Sequence, residues 1–195
     1  MGAFGTTTLL ETTILLGTTI LMKPTTRIGF GWDSHEFVYG VPLKIGGVSI
    51  AHNKGLGGHS DGDVLLHAIT DALLGAIGAP DIGTLFPPSD PQWKGADSAV
   101  FLNEALKRLR AAGYVIGNVD SSLILLSPKI GPQAASIRAH VAKLLGVAVD
   151  CVGLKAKTPE GIGTDNAAIA NVVVLVEKLP SAPKKTGSSK SLSKK

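Results

Sequence analysis

Asp33 and His35 stand two residues apart in the run Gly31-Trp32-Asp33-Ser34-His35. Side chains alternate across a strand, so these two project from one face of an extended segment. Arg27 to Trp32, just ahead, reads as that strand. Further along comes His59-Ser60-Asp61-Gly62-Asp63, followed by His67. A histidine on a helix beside such a strand completes an Asp/His/His set. Three ligands of this kind leave one tetrahedral position open, the usual design of a catalytic zinc site. His67 alone has a plainer reading. Asp63, His67 and Asp71 are spaced by four, and so form one polar helical stripe. In the metal reading, Asp63 or Asp71 is a candidate partner for the second nitrogen of the imidazole.

Other residues are weaker on their own. His59 directly precedes Ser60, the expected helix cap, where a ring and free backbone donors suit an anion. Asp81-Ile82-Gly83 and the loop Phe86-Pro87-Pro88-Ser89-Asp90-Pro91 fit a flap over a polyol, or simply a helix end and its connection. Lys129 follows Ser127-Pro128 and is either a phosphate contact or a solvated lysine. Thr158 and Glu160 follow a strand-like segment and offer a hydroxyl and a carboxylate at its end, or merely a turn.

The elements that must carry these residues are legible from periodicity. Val41 to Ile50 predicts two short extended pieces about Gly46-Gly47. A helix from Ser60, with Asp63 three positions on as in a capping box, runs to about Ile77 along Leu65, Ile69, Leu73 and Ala76. Helices are also expected over Ser98–Ala112 and Pro132–Leu145. Strands are expected over Tyr114–Leu126, Val152–Lys157 and Ala167–Leu179, the last one buried. Alternating strands and helices indicate an α/β layered domain.

The 195 residues suffice for one such domain, and 44% hydrophobic residues with only 5% aromatic imply a core of Val, Ile, Leu and Ala. Residues 27–179 read as the domain. Residues 1–26 read as a weakly structured extension, and 180–195 as a disordered basic tail. Without the tail's five lysines the net charge of +4 becomes −1, so no basic face speaks for nucleic acid. The apolar run near the N-terminus is too interrupted for a membrane span, and it lacks a basic start. The single Cys151 fits a reducing, cytoplasmic setting.

Several longer runs are more specific. Arg27-Ile28-Gly29-Phe30-Gly31-Trp32-Asp33-Ser34-His35, His59-Ser60-Asp61-Gly62-Asp63-Val64, Leu66-His67-Ala68, Thr70-Asp71-Ala72-Leu73-Leu74-Gly75-Ala76, Asp81-Ile82-Gly83, Leu85-Phe86-Pro87, Lys94-Gly95-Ala96-Asp97-Ser98 and Pro128-Lys129 recur here in one order. Together they resemble the 2-C-methyl-D-erythritol 2,4-cyclodiphosphate synthases, from Arg27 to Leu179. The expected subunit is a mixed sheet of about four strands with helices on one face, in a ferredoxin-like arrangement, assembled as a homotrimer with sites at subunit interfaces.

The resemblance implies cyclisation of 4-diphosphocytidyl-2-C-methyl-D-erythritol 2-phosphate with release of CMP. It implies Zn²⁺ on Asp33, His35 and His67, and Mg²⁺ or Mn²⁺ on the substrate diphosphate. His59 and Thr158 are then catalytic. Ser34, Ser60, Asp81, Ile82, Gly83, Phe86, Asp90, Lys129 and Glu160 contact substrate together with Asp33, His35, His59 and Thr158. Near the C-terminus Gly161 replaces the lysine of the family pattern, and Ala167 falls about where an arginine lies. The alternative is a non-catalytic metal-binding trimer that binds phosphorylated isoprenoids.

Overall fold

The computed structural model describes residues 25–179. The expected tail and nearly all of the expected N-terminal extension lie outside these residues. Strand β1 (Thr26–Tyr39) is longer than its sequence signal, running through Asp33 and His35. It leads into a hairpin, β2 (Leu43–Ile45) and β3 (Val48–Ile50), then β4 (Lys54–Leu56). The hairpin turns on Gly46 and Gly47, with φ of 61° and 76°, the pair of positive values a two-residue primed turn requires.

Helix α1 (Val64–Ile77) follows, stopped by Gly78 in the left-handed conformation. One-turn helix α2 (Ile82–Leu85), a 3-10 turn at Pro91–Trp93 and helix α3 (Ser98–Ala111) come next. The chain then forms β5 (Tyr114–Leu125), a 3-10 turn at Gly131–Gln133, α4 (Ala134–Leu145), β6 (Val152–Lys157) and β7 (Ala167–Lys178).

The main sheet has five strands, not four, in the order β4-β1-β7-β5-β6. β4, three residues long, pairs antiparallel with the end of β1. The arrangement is not ferredoxin-like. That fold splits its βαβ units, whereas β5 and β6 here are adjacent and parallel, with α4 between them in sequence. A connection long enough to hold a helix permits this direct parallel crossover.

Helices cover one face: α1 packs on β1 and β7, α3 on β5, and α4 on β6. β7 is therefore buried on one side only. Ala168, Ala170, Val172, Val174 and Val176 point into the core, while Val173 is 44% exposed. On the same open face β1 presents Ile28, Phe30 and Trp32 at 68%, 61% and 53% exposure.

Two local expectations need correction. The cap of α1 is Asp63, not Ser60, because the Asp63 carboxylate also receives the hairpin donors Gly46 N at 2.8 Å and Gly47 N at 2.6 Å. The proline-rich segment is not wholly loop: Pro91 opens the 3-10 turn that Asp90 caps, a position where its missing N–H is harmless.

Candidate metal centre and its two cavities

Gly29, Gly31, Asp33 and His35 share the helix-facing side of β1. Gly29 abuts the backbone of α1 at Ala72, and Gly31 abuts it at Ala68. Two strand residues advance about 6.8 Å and four helical residues about 6 Å, so strand and helix stay nearly in step. The next inward residue after Gly31 is Asp33, and it meets the helix one turn further toward its start, beside His67. In β7, Ala170 and Ala168 stand beside Asp33 and His35, and their small side chains leave room there.

The convergence is close. Asp33 Oδ2 lies 2.9 Å from His35 Nε2 and 3.1 Å from His67 Nδ1, and the two ring nitrogens are 3.1 Å apart. Ligands about 2.0 Å from a zinc ion at tetrahedral angles sit about 3.3 Å from one another, so this triangle fits one ion. The proton positions fit as well. His35 Nδ1 donates to Gly57 O at 2.7 Å. His67 Nε2 lies 3.0 Å from Ser60 Oγ and 2.9 Å from Ser98 Oγ. With a cation bound, each ring would turn a lone pair inward beside the Asp33 carboxylate, and the ion would satisfy all three at once. Among the described residues these three form a group able to hold a metal ion.

Electrostatics reflect the same crowding. Burial pushes the Asp33 carboxyl up, but hydrogen bonds from His35 and His67 and their charge bring it down to about 2. Burial lowers His35, and the Asp33 hydrogen bond and charge outweigh it, raising the imidazole above its ordinary value.

Neither aspartate of the helical stripe is an imidazole partner. Asp63 is buried and holds Gly46 N, Gly47 N and Leu66 N. Asp71 accepts from Ile82 N at 2.8 Å and so ties α1 to the start of α2. Behind His67 stands Ser98, buried at the first turn of α3, which donates to Asp61. Lys44 Nζ lies 3.1 Å from the other Asp61 oxygen. Burial pushes Asp61 up, yet Ser98 and Lys44 hold it below the usual carboxylate range.

A cavity of about 240 Å³ opens over the two imidazoles, lined by His35, His59, Ser60, His67, Ile82, Gly83, Phe86 and Phe101, among others. His59 Nε2 sits 3.3 Å from Asp90 O, joining the two loops at its rim. The carboxylates of Asp81 and Asp90 cap their own turns, at Thr84 N and Gln92 N. The Thr84 bonds hold Asp81 below the usual carboxylate range. Ser34 lies on the opposite face of β1 by strand alternation.

Lys129, Thr158 and Glu160 are not brought to the metal ligands. They line a second cavity of about 430 Å³ with Leu125, Pro128 and Gly131, and it shares no residue with the first. Thr158 donates to Glu160 there, and Glu160 takes φ of 51°, in the left-handed region.

Sequence reasoning named Phe86 but missed Trp93 and Phe101, which complete an aromatic wall of the first cavity. Phe101 lies 4.7 Å from Phe86 and 5.8 Å from Trp93, ring centre to centre, and 6.0 Å from His67. The available signal was composition: in a chain with 5% aromatic residues, three of them gather at one place.

The sequence model of the YgbB family matches residues 26–177. A 2-C-methyl-D-erythritol 2,4-cyclodiphosphate synthase of Koribacter versatilis is 63% identical over 152 residues, covering 78% of this chain and 98% of its own length. A chloroplastic enzyme of the same name from Oryza sativa subsp. japonica is 52% identical over 153 residues, covering 77% of this chain and 69% of its own. A solved structure of such a synthase in a CDP-bound form superposes with a TM-score of 0.74 at 42% identity, covering 77% of this chain and all (100%) of that one.

Proposed function

This chain belongs to the YgbB family, and from that premise we propose how its own side chains perform the reaction of a 2-C-methyl-D-erythritol 2,4-cyclodiphosphate synthase. It is such a lyase, acting in non-mevalonate isoprenoid synthesis, where 4-diphosphocytidyl-2-C-methyl-D-erythritol 2-phosphate is cyclised and CMP leaves. One P–O bond forms, from the 2-phosphate to the β-phosphorus. One breaks, between that phosphorus and the oxygen that departs with CMP. No water enters, and no protein nucleophile is needed. The work is positioning and charge stabilisation.

The observation that carries the proposal is the convergence of Asp33 Oδ2, His35 Nε2 and His67 Nδ1 within 3.1 Å of one another beneath an open cavity. Asp33, His35 and His67 would hold a Zn²⁺ ion, which would supply Lewis-acid polarisation for a phosphate oxygen, and Mg²⁺ or Mn²⁺ would accompany the substrate diphosphate.

His59, on the cavity wall, donates to phosphate oxygens that gain charge in the pentavalent transition state, and the Ser60 hydroxyl steadies a phosphate beside it. The backbone at Ile82 and Gly83, with Phe86, forms the polyol side. Trp93 and Phe101 exclude water behind it. Asp81, exposed and ionised, accepts from a polyol hydroxyl, and Asp90 holds the rim loop through Gln92.

The second cavity takes the cytidine part, with Lys129 near phosphate, Thr158 donating to a phosphate oxygen and Glu160 orienting Thr158. Its volume suits a nucleotide fragment. A homotrimer supports both observations together: a copy of the second cavity set beside the first completes the site, and the open face bearing Ile28, Phe30 and Trp32 is the apolar surface such an assembly buries. A cytoplasmic location accords with the single cysteine. Among the described residues no helix is long and apolar enough to cross a membrane.

The test is product identification by phosphorus NMR after incubation with the cytidyl substrate, zinc and magnesium. A cyclic diphosphate with stoichiometric CMP is expected. CMP beside an acyclic, hydrated product would make the protein a hydrolase.

A further inference from the structure

We propose that Ser98 and Asp61 are positioning residues for the metal ligand His67, with Ser98 rather than Ser60 fixing the ring nitrogen that faces the ion. The inference rests on the metal reading of Asp33, His35 and His67.

His67 has one Nε2 proton and two hydroxyl neighbours, Ser60 Oγ at 3.0 Å and Ser98 Oγ at 2.9 Å. Only Ser98 has its own proton committed, because it donates to Asp61 Oδ1. An ionised carboxylate accepts and cannot donate, so Ser98 has only lone pairs left for the imidazole. The chain of bonds therefore runs one way, from His67 Nε2–H to Ser98, and from Ser98 O–H to Asp61. Asp61 is itself fixed on other sides: Oδ1 also receives Ser98 N at 3.3 Å, Oδ2 faces Lys44 Nζ at 3.1 Å, and its own N–H donates to Ala96 O at 3.1 Å.

Ser98 is fully buried at the start of α3, its hydroxyl between Asp61 and His67. Ser60 lines the cavity, where its hydroxyl can face a phosphate. Locking the Nε2–H tautomer leaves Nδ1 as the metal donor and fixes the plane of the ring. Partners of this type commonly change metal affinity about 10- to 100-fold when removed.

Zinc affinity is measured on the full chain by competition with a chromophoric chelator. Ser98→Ala and Asp61→Asn are expected to weaken it about 10- to 100-fold. Ser98→Thr, which keeps the hydroxyl, stays closer to wild type, and Ser60→Ala stays within about twofold.

Wild-type affinity in Ser98→Ala, or a larger loss in Ser60→Ala, overturns the inference. If Ser98→Ala does not fold, unchanged affinity in Asp61→Asn overturns it. A wild-type chain that takes up no zinc overturns the metal reading itself, a result distinct from a variant that binds as well as wild type.

Discussion

Gly31 rests directly on the backbone of α1: a methyl group added to it would lie 1.9 Å from the carbonyl oxygen of Ala68. The neighbouring inward position repeats the contact, at 1.8 Å between a methyl on Gly29 and Ala72 O. Strand and helix touch without side chains between them, and this brings His67 down onto Asp33. Gly31→Ala must push the two apart. A loss of about 1–3 kcal/mol is expected from overpacking, together with weaker zinc binding. Denaturant unfolding and a metal titration check both. Gly131→Ala, where nothing lies within 4 Å, is the control and should change stability by less than about 1 kcal/mol.

Asp63 is the joint between hairpin and helix. Asp63→Ala leaves the N–H groups of Gly46, Gly47 and Leu66 without their acceptor in a buried place. Loss of a cap and of buried partners together should destabilise by about 2–4 kcal/mol. Asp63→Asn restores one acceptor oxygen but places an amide beside backbone donors, so only partial recovery is expected. Chemical denaturation of the three proteins ranks them.

The two cavities predict separable defects. Thr158→Ala should lower kcat about 10²-fold, the usual scale for losing a transition-state donor, with zinc affinity unchanged. His35→Ala should lose zinc. If a trimer joins the metal cavity of one copy to the Thr158 cavity of the next, co-refolding the two inactive variants in equal amounts restores about a quarter of wild-type activity, because one interface in four then has both halves intact. No recovery would place both halves within a single chain.

Proton linkage gives opposite signs for metal-free and metal-bound protein. The folded value of His35 lies above its unfolded 6.5, so its contribution is complete below pH 6.5 and is lost as pH rises through the folded value. Asp33 is depressed to about 2, so its contribution is present above its unfolded 3.8 and lost only as pH falls toward 2. In chelator-treated protein, the melting temperature advantage of wild type over His35→Gln should therefore shrink as pH rises above 6.5. Zinc needs the neutral ring, so its affinity should rise over the same interval. Parallel pH series of melting curves and metal titrations test both, and an advantage that grows with pH would contradict the assignment.

Local pattern was enough for much of this molecule. Alternation put Asp33 and His35 on one face, helical spacing found α1, α3 and α4, and Gly46-Gly47 announced the hairpin, because each signal is a property of neighbouring residues. The residue runs shared with the synthases pointed to Asp33, His35 and His67, the group that the fold brings together. The sequence misled where distant chain decided. Ser60 looks like the cap with Asp63 as its capping-box partner, but Asp63 holds the place, and hairpin donors many residues earlier also use its carboxylate. Asp63 and Asp71 look like partners of His67 on a helical wheel, but both serve backbone amides while Ser98 arrives from another helix.

The sequence by itself singled out Asp33, His35 and His67 as a candidate metal set and marked most of the short elements that hold them. Only the tertiary structure decided the distances, the fifth strand and the separation of Thr158 from His59. Those follow from the close contact of glycine-bearing β1 with α1, from the pairing of β4 with the end of β1 and from the parallel crossover into β6, which are long-range packing outcomes that no local period encodes.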